Sequence, residues 1–210
     1  MMVVRLRNEC REVASLSRAH CSAQIQIQIA TGIPLNSLIK EQFSCKDDHT
    51  VLVRTLLPGD AQGLAALWQE MQIHYGKPVT AEMARKAAEF ACGNEQQGEF
   101  GPRILVAASD DGRIHGSIVL NVSFPANELT RSLYIRDLYV SSSARRLGIA
   151  KALLRAASAL ALAQGFSALD WTTDAENANA RRLYSSQGAR QLERVYYRLD
   201  TDDLKRLIAV

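Results

Sequence analysis

The hydrophobic pattern of this 210-residue chain passes from strand to helix spacing between residues 133 and 154, and the other elements are read around that stretch. The run Leu133-Tyr134-Ile135-Arg136-Asp137-Leu138-Tyr139-Val140 mixes aromatic and branched side chains with two charges, which predicts a strand beside a cleft. Ser141, Ser142 and Ser143 end it in a polar turn. From Gly148 onward Ile149, Leu153, Leu154, Ala157 and Leu160 recur at helical spacing toward Gln164, with Gly165 as the stop, so a helix begins near Leu147.

Upstream, Val51 to Arg54 predicts a strand, and Pro58-Gly59-Asp60 turns it into a helix capped by Asp60 that carries Leu64, Leu67, Trp68 and Met71. The loop His74-Tyr75-Gly76-Lys77-Pro78 separates this helix from a second one over residues 80–92. Residues 104–107 and 114–122 read as two strands joined by a hairpin at Asp110-Asp111-Gly112. Downstream come a strand over 168–173, a helix over 177–187 closed by Gly188, a last strand over 192–199 and a short helix over 201–208. Residues 1–48 differ: Arg5, Arg7, Arg11 and Arg18 lie among Ser and Ala, and the alternation Ile25-Gln26-Ile27-Gln28-Ile29 is followed by Gly32 and Pro34. That pattern builds no core by itself and predicts a loosely ordered extension without assigned function ahead of one domain over 49–210.

Composition narrows the classes. Forty-seven per cent apolar and 22% charged residues suit a soluble globule, and a net charge of +3 spread along the chain favours neither nucleic acid nor a membrane surface. No run of 18 apolar residues predicts a membrane span. Cys10, Cys21, Cys45 and Cys92 lie far apart, which predicts neither a metal site nor a disulfide framework and fits a reducing cytoplasm. His20, His49 and His115 show no ligand spacing, and a surface role is expected for each.

The chemistry begins at the start of the central helix. Its first turn presents unpaired backbone N–H groups and the positive end of the macrodipole, and Arg145 and Arg146 add two cations beside it. Gly148 and Ala150 leave room for a diphosphate to approach the amides between Leu147 and Lys151, Ile149 included.

The pattern Arg145-x-x-Gly148-x-Ala150 after a strand resembles the Arg/Gln-x-x-Gly-x-Gly/Ala signature of the GNAT acyltransferase superfamily, whose loop holds the pyrophosphate of coenzyme A. Residues 177–189, Asn-Ala-Asn-Ala-Arg-Arg-Leu-Tyr-Ser-Ser-Gln-Gly-Ala, resemble that family's second signature. The resemblance implies an α/β (α+β) fold with a mixed, mostly antiparallel sheet splayed at the cofactor cleft and flanked by helices. It implies acetyl-CoA as co-substrate, held by Leu138, Tyr139 and Val140 along the central strand, by the loop from Arg145 to Lys151, and by Asn177 and Tyr184. Asn177 and Tyr184 are seven residues apart, two helical turns, and so share one face. Tyr184 is the implied general acid, since a phenol protonates a departing thiolate without carrying charge beforehand. Asp137 is the candidate base for the amine; strand alternation lets only one of Arg136 and Asp137 face the thioester, and a structural ion pair for Asp137 stays open.

Within the family, residues 133–209 resemble the diamine (spermidine/spermine) acetyltransferases: Leu-Tyr-Ile-Arg-Asp-Leu-Tyr-Val is similar to their Leu-Tyr-Leu-Glu-Asp-Phe-Phe-Val. Arg136 stands in place of one acid, removing an anion from where a polycation would be held. The resemblance makes His74, Tyr75 and the Glu residues of the second helix candidates to line the acceptor pocket, since the loop between the first helices borders it in the family, with helix-capping or surface roles the stronger expectation for any one of them. The expected activity is acetyl transfer to a primary amine of a small molecule, polyamine- or amino-acid-like, by direct attack in a ternary complex. Acetylation of a protein N-terminus or lysine, and a coenzyme A-binding module without turnover, are the alternatives. Homodimers are common among similar proteins, often through the last strands.

Overall fold

A computed structural model describes residues 25–27, 39–44, 50–93 and 98–209. Seven strands form one sheet whose spatial order follows the chain: β1 (Ile25–Ile27), β2 (Ile39–Ser44), β3 (Thr50–Thr55), β4 (Arg103–Ser109), β5 (Ile114–Ser123), β6 (Ser132–Val140) and β7 (Leu169–Asp170). Neighbours pair antiparallel as far as β6, and β7 joins β6 in parallel. The helices are α1 (Ala61–His74), α2 (Ala81–Cys92), α3 (Ile149–Ala163), α4 (Ala178–Ser186) and α5 (Thr201–Ile208). The architecture is the mixed α/β sheet flanked by helices that the sequence resemblance implied.

The sheet is covered on both sides, and β4 shows how. Leu105 and Ala107 pack into one cluster with Ile149, Leu153, Ala157 and Leu160 of α3, whereas Val106 and Ala108 pack into the other with Leu64, Leu67 and Met71 of α1 and Ala88 of α2. Strand alternation therefore feeds two cores from one run of apolar residues. The α3 side is tightly closed: a Cβ on Gly116 of β5 would stand 3.1 Å from Ile149 Cγ2 and 3.0 Å from the Tyr139 carbonyl oxygen. Only glycine lets α3 lie this close to the strands.

Two bulges change which face a side chain takes. In β5, Ala107 pairs with Gly116 and Ala108 with Ile114, so His115 is the extra residue. In β6, Leu120 pairs with Ile135 and Val119 with Asp137, so Arg136 is the extra residue. Before that bulge Leu133 and Ile135 belong to the α3 core; after it Leu138 and Val140 pack there, and Tyr139 joins the α1 core. One inserted residue thus carries Asp137 and Tyr139 onto the α1 face.

Several sequence expectations change here. The strand expected over 192–199 does not form, because β7 is two residues long and offers no ladder on which a further strand could build. Leu192, Val195, Tyr196, Tyr197 and Leu199 are all exposed. Asp60 does not cap α1 with its side chain; it accepts from Arg54 Nη1 and Nη2 at 2.6 and 2.8 Å and from the Leu57 amide at 2.7 Å. His115 is buried, its Nε2 3.0 Å from Ser109 Oγ, and not at the surface as its lack of ligand spacing suggested. Within the extension 1–48, β1 and β2 are strands, and its other residues, with Cys10, Cys21, Cys45, His20 and His49, lie outside the described residues. No helix among the described residues is long and apolar enough to cross a membrane, and no metal-binding cluster occurs among them.

Candidate active site

Three pieces of chain meet around β6. The first is the turn into α3. The chain leaves β6 after Val140, makes one tight helical turn at Ser142–Ala144 and then reaches Gly148 at φ +85°. This left-handed position favours glycine and aims the next peptide units outward. α3 starts at Ile149, two residues later than its apolar period suggests. No carbonyl or side chain among the described residues meets the N–H groups of Ile149, Ala150 and Lys151; the Ala152 amide is the first to bond, to Gly148 O at 3.0 Å. Arg145, Arg146 and Lys151 are exposed around that turn, and Leu147 packs on the α3 core. The donors and cations an anionic group needs stand together.

The second piece is the edge of β6. Its ladder with β7 consists of Leu133 opposite Leu169 and Tyr134 opposite Asp170. From Ile135 to Val140 the strand has β5 on one side and, among the described residues, no strand on the other. Leu138, Tyr139 and Val140 thus lie on a stretch of β6 without a second neighbouring strand among the described residues, the kind of edge an extended ligand can join.

The third is the pair of titratable groups. Arg136 is exposed and Asp137 faces inward, which decides the alternation that the sequence leaves open. Asp137 Oδ1 is buried with no hydrogen-bond partner among the described residues, and no ion pair among them involves Asp137. Burial pushes its carboxyl above the ordinary 3.8, although the charge of Arg136 and the Leu138 amide pull the other way. Tyr184, on α4, packs its ring 5.0 Å from that of Trp171 and is held up by burial and by the charge of Asp137. An acid kept protonated and a carboxylate ready to accept a proton therefore lie within each other's field. Asn177 is the N-cap of α4, its Oδ1 accepting from the Ala180 amide at 3.1 Å. No hydrogen bond of its amide nitrogen occurs among the described residues.

One residue beside the site escaped the sequence reading. Glu70, on α1, accepts from Tyr139 Oη at 3.1 Å, from Ser141 Oγ at 2.8 Å and from the Ser142 amide at 2.7 Å. Burial alone would lift its carboxyl, but these donors outweigh it and hold Glu70 below its usual range. It clamps the end of β6 to α1. The signal was a charge set among the apolar positions Leu67, Trp68 and Met71. The acids of α2 take the surface role favoured for them: Glu82 and Glu89 pair with Arg85, and Glu82 also with Lys86, on the exposed face of the helix.

A family model described as acetyltransferase (GNAT) family matches residues 64–189, more than half of the chain. The chain belongs to the GNAT family of acetyltransferases. This GNAT chain is similar to solved structures, among them an integron cassette protein from the mobile metagenome of V. cholerae, with 25% identity, 76% of this chain and 98% of that chain covered and a TM-score of 0.66. A probable acetyltransferase matches with 26% identity, 70% and 96% coverage and a TM-score of 0.62. A ribosomal-protein-alanine N-acetyltransferase from Brucella melitensis biovar Abortus 2308, at 22% identity, 71% and 98% coverage and a TM-score of 0.58, shares the fold. Among curated proteins none matches. GNAT enzymes usually use acetyl-CoA, and the unpaired amides of Ile149, Ala150 and Lys151, the surrounding cations and the open edge of β6 fit the pyrophosphate and pantetheine parts of such a molecule.

Proposed function

We propose that this GNAT protein transfers an acetyl group from acetyl-CoA to a primary amine of a small molecule by direct attack within a ternary complex. The observation that carries this reading is the inward Asp137 carboxylate, its Oδ1 buried without a hydrogen bond, within electrostatic range of the Tyr184 phenol at the open edge of β6. Asp137 takes the proton that the amine sheds, directly or through one water. The amine nitrogen bonds to the thioester carbonyl carbon, the carbon–sulfur bond breaks, and the Tyr184 hydroxyl gives its proton to the departing sulfur. The backbone of residues 138–140 orients the acyl arm, and the amides of Ile149, Ala150 and Lys151 with Arg145 and Arg146 hold the diphosphate.

Amino-acid-like amines fit this reading better than the polyamines of the diamine acetyltransferases, since Arg136 replaces an acid and Glu82 and Glu89 are paired elsewhere. A cytoplasmic setting and a homodimer go with it. For the dimer, the support is the exposed apolar row of residues 192–199 in a chain whose β7 edge lacks a neighbour among the described residues.

Thiol release from acetyl-CoA with a panel of small amines and a lysine peptide tests the proposal. We expect release with small amines and a loss of at least ~100-fold in Tyr184→Phe. Release with the peptide alone would favour a protein acceptor. Binding of acetyl-CoA without release for any acceptor would leave a coenzyme-binding module.

A further inference from the structure

Beside the reacting groups stands an aromatic wall that the transfer chemistry does not require. Tyr139 follows Asp137 by two residues on the same face of β6. Against it pack the two residues at the end of α1: the ring of His74 lies 5.8 Å from that of Tyr139, the ring of Tyr75 lies 6.4 Å from it edge-on, and His74 and Tyr75 are 5.5 Å apart. Tyr75 is 50% exposed, so part of its surface is open to an incoming molecule. Its hydroxyl is nonetheless pushed up to about 12 by burial and by the charges of Asp137, Tyr184 and Tyr139, which puts Tyr75 within the field of the reacting pair.

The charges around this wall are unequal. Asp137 is a carboxylate whose charge acts on Tyr75. Glu70, the other acid at Tyr139, already accepts three hydrogen bonds from the chain. Glu82 and Glu89 are neutralised by Arg85 and Lys86. On the cationic side, the Arg145 guanidinium carbon lies 5.8 Å from the centre of the Tyr139 ring, and its charge acts on Tyr75 as well.

We infer that the acceptor side of this site takes a singly charged primary amine joined to an aromatic or bulky apolar body, and discriminates against di- and polyamines. The inference rests on the acyl-transfer reading for its reactive groups. One ammonium is drawn to Asp137 and to the face of the half-exposed Tyr75. Its apolar body covers the exposed part of Tyr75, removing aromatic surface from water. A second ammonium finds Glu70 already accepting three hydrogen bonds from the chain and Glu82 and Glu89 paired with Arg85 and Lys86, so a polyamine gains less from its extra charge than the aromatic amine gains from its apolar body.

The test uses the full chain saturated with coenzyme A, titrated at pH 7.5 with phenylethylamine, putrescine and spermidine, alongside thiol release from acetyl-CoA with the same three amines. Expected are at least tenfold tighter binding and tenfold higher kcat/KM for phenylethylamine than for either of the other two. Tyr75→Ala is expected to raise the Michaelis constant for the aromatic amine tenfold while that for acetyl-CoA stays unchanged, and Tyr75→Phe to restore it. Equal or tighter binding of spermidine, or a Tyr75→Ala variant with unaltered selectivity, overturns the inference while leaving acyl transfer intact. Selective binding of phenylethylamine without thiol release does the reverse: it supports the inference about the site and defeats the transfer reading.

Discussion

α3 and α5 each carry an apolar face and end up in opposite environments. α3 buries Ile149, Ala152, Leu153, Leu154, Ala156, Ala157, Leu160 and Ala161. α5 is amphipathic too and has a complete capping box at Asp200 and Asp203, yet it buries no residue, and the run before it leaves Tyr197 85% exposed. An apolar face reports that a helix needs a cover and is silent on whether its own chain supplies one. For α3 the cover is the glycine-bearing strand β5, and the resulting rigid seat fixes the amides of its first turn. The segment after α4 has only the two-residue β7 nearby in the sheet order and gains no such seat.

The largest expected effects fall on the packed side. Leu153→Ala removes a fully buried side chain between α3 and the sheet, and urea unfolding should show a loss of about 3 kcal/mol. Asp137→Asn separates stability from catalysis. The Asp137 carboxyl is raised in the folded state, so the native protein holds its proton more firmly than the unfolded chain, and stability from this group declines as pH rises from 3.8 through the raised value. At neutral pH the variant should melt higher than the parent while thiol release falls by ~100-fold or more. The parent's kcat/KM should rise with pH through the same raised value, since the base must be ionised.

Gly148→Ala forces a side chain into the left-handed region and should cost roughly 1 kcal/mol of stability in urea unfolding. Glu70 works in the opposite sense to Asp137. Its carboxyl is lowered in the fold, so it stabilises above its ordinary 4.5 and that contribution disappears as pH falls through the lowered value. In Glu70→Gln the acid-range loss of stability should shrink and the Michaelis constant for acetyl-CoA rise a few-fold, the variant having loosened Ser141 and Ser142 ahead of α3. Smallest of all, Leu192→Ser in the tail should change monomer stability by less than about 0.5 kcal/mol. If the tail is instead the dimer surface, that change together with Tyr197→Ser should lower the mass measured by light scattering to that of one chain.

Much of this was legible in the residues. The change of period between residues 133 and 154, the small side chains at Gly148 and Ala150, and the capping Asn177 mark local events, and local chemistry is written locally. The bulge at Arg136 was not, because an extra residue in a strand shows only against its partner strand; without it, neither reading of Arg136 and Asp137 could prevail. Glu70 was hidden for a similar reason, since its three donors lie about seventy residues away in the chain. The strand expected over 192–199 was inferred from its apolar content alone, and strands form only where an edge of adequate length receives them.

The central claim is that the first turn of α3 grips a diphosphate, and amide exchange of the full chain with and without acetyl-CoA tests it most directly. The account predicts that saturating acetyl-CoA slows exchange at Ile149, Ala150 and Lys151, with a weaker effect along residues 138–140. Unchanged exchange at those three amides while the ligand binds would contradict it.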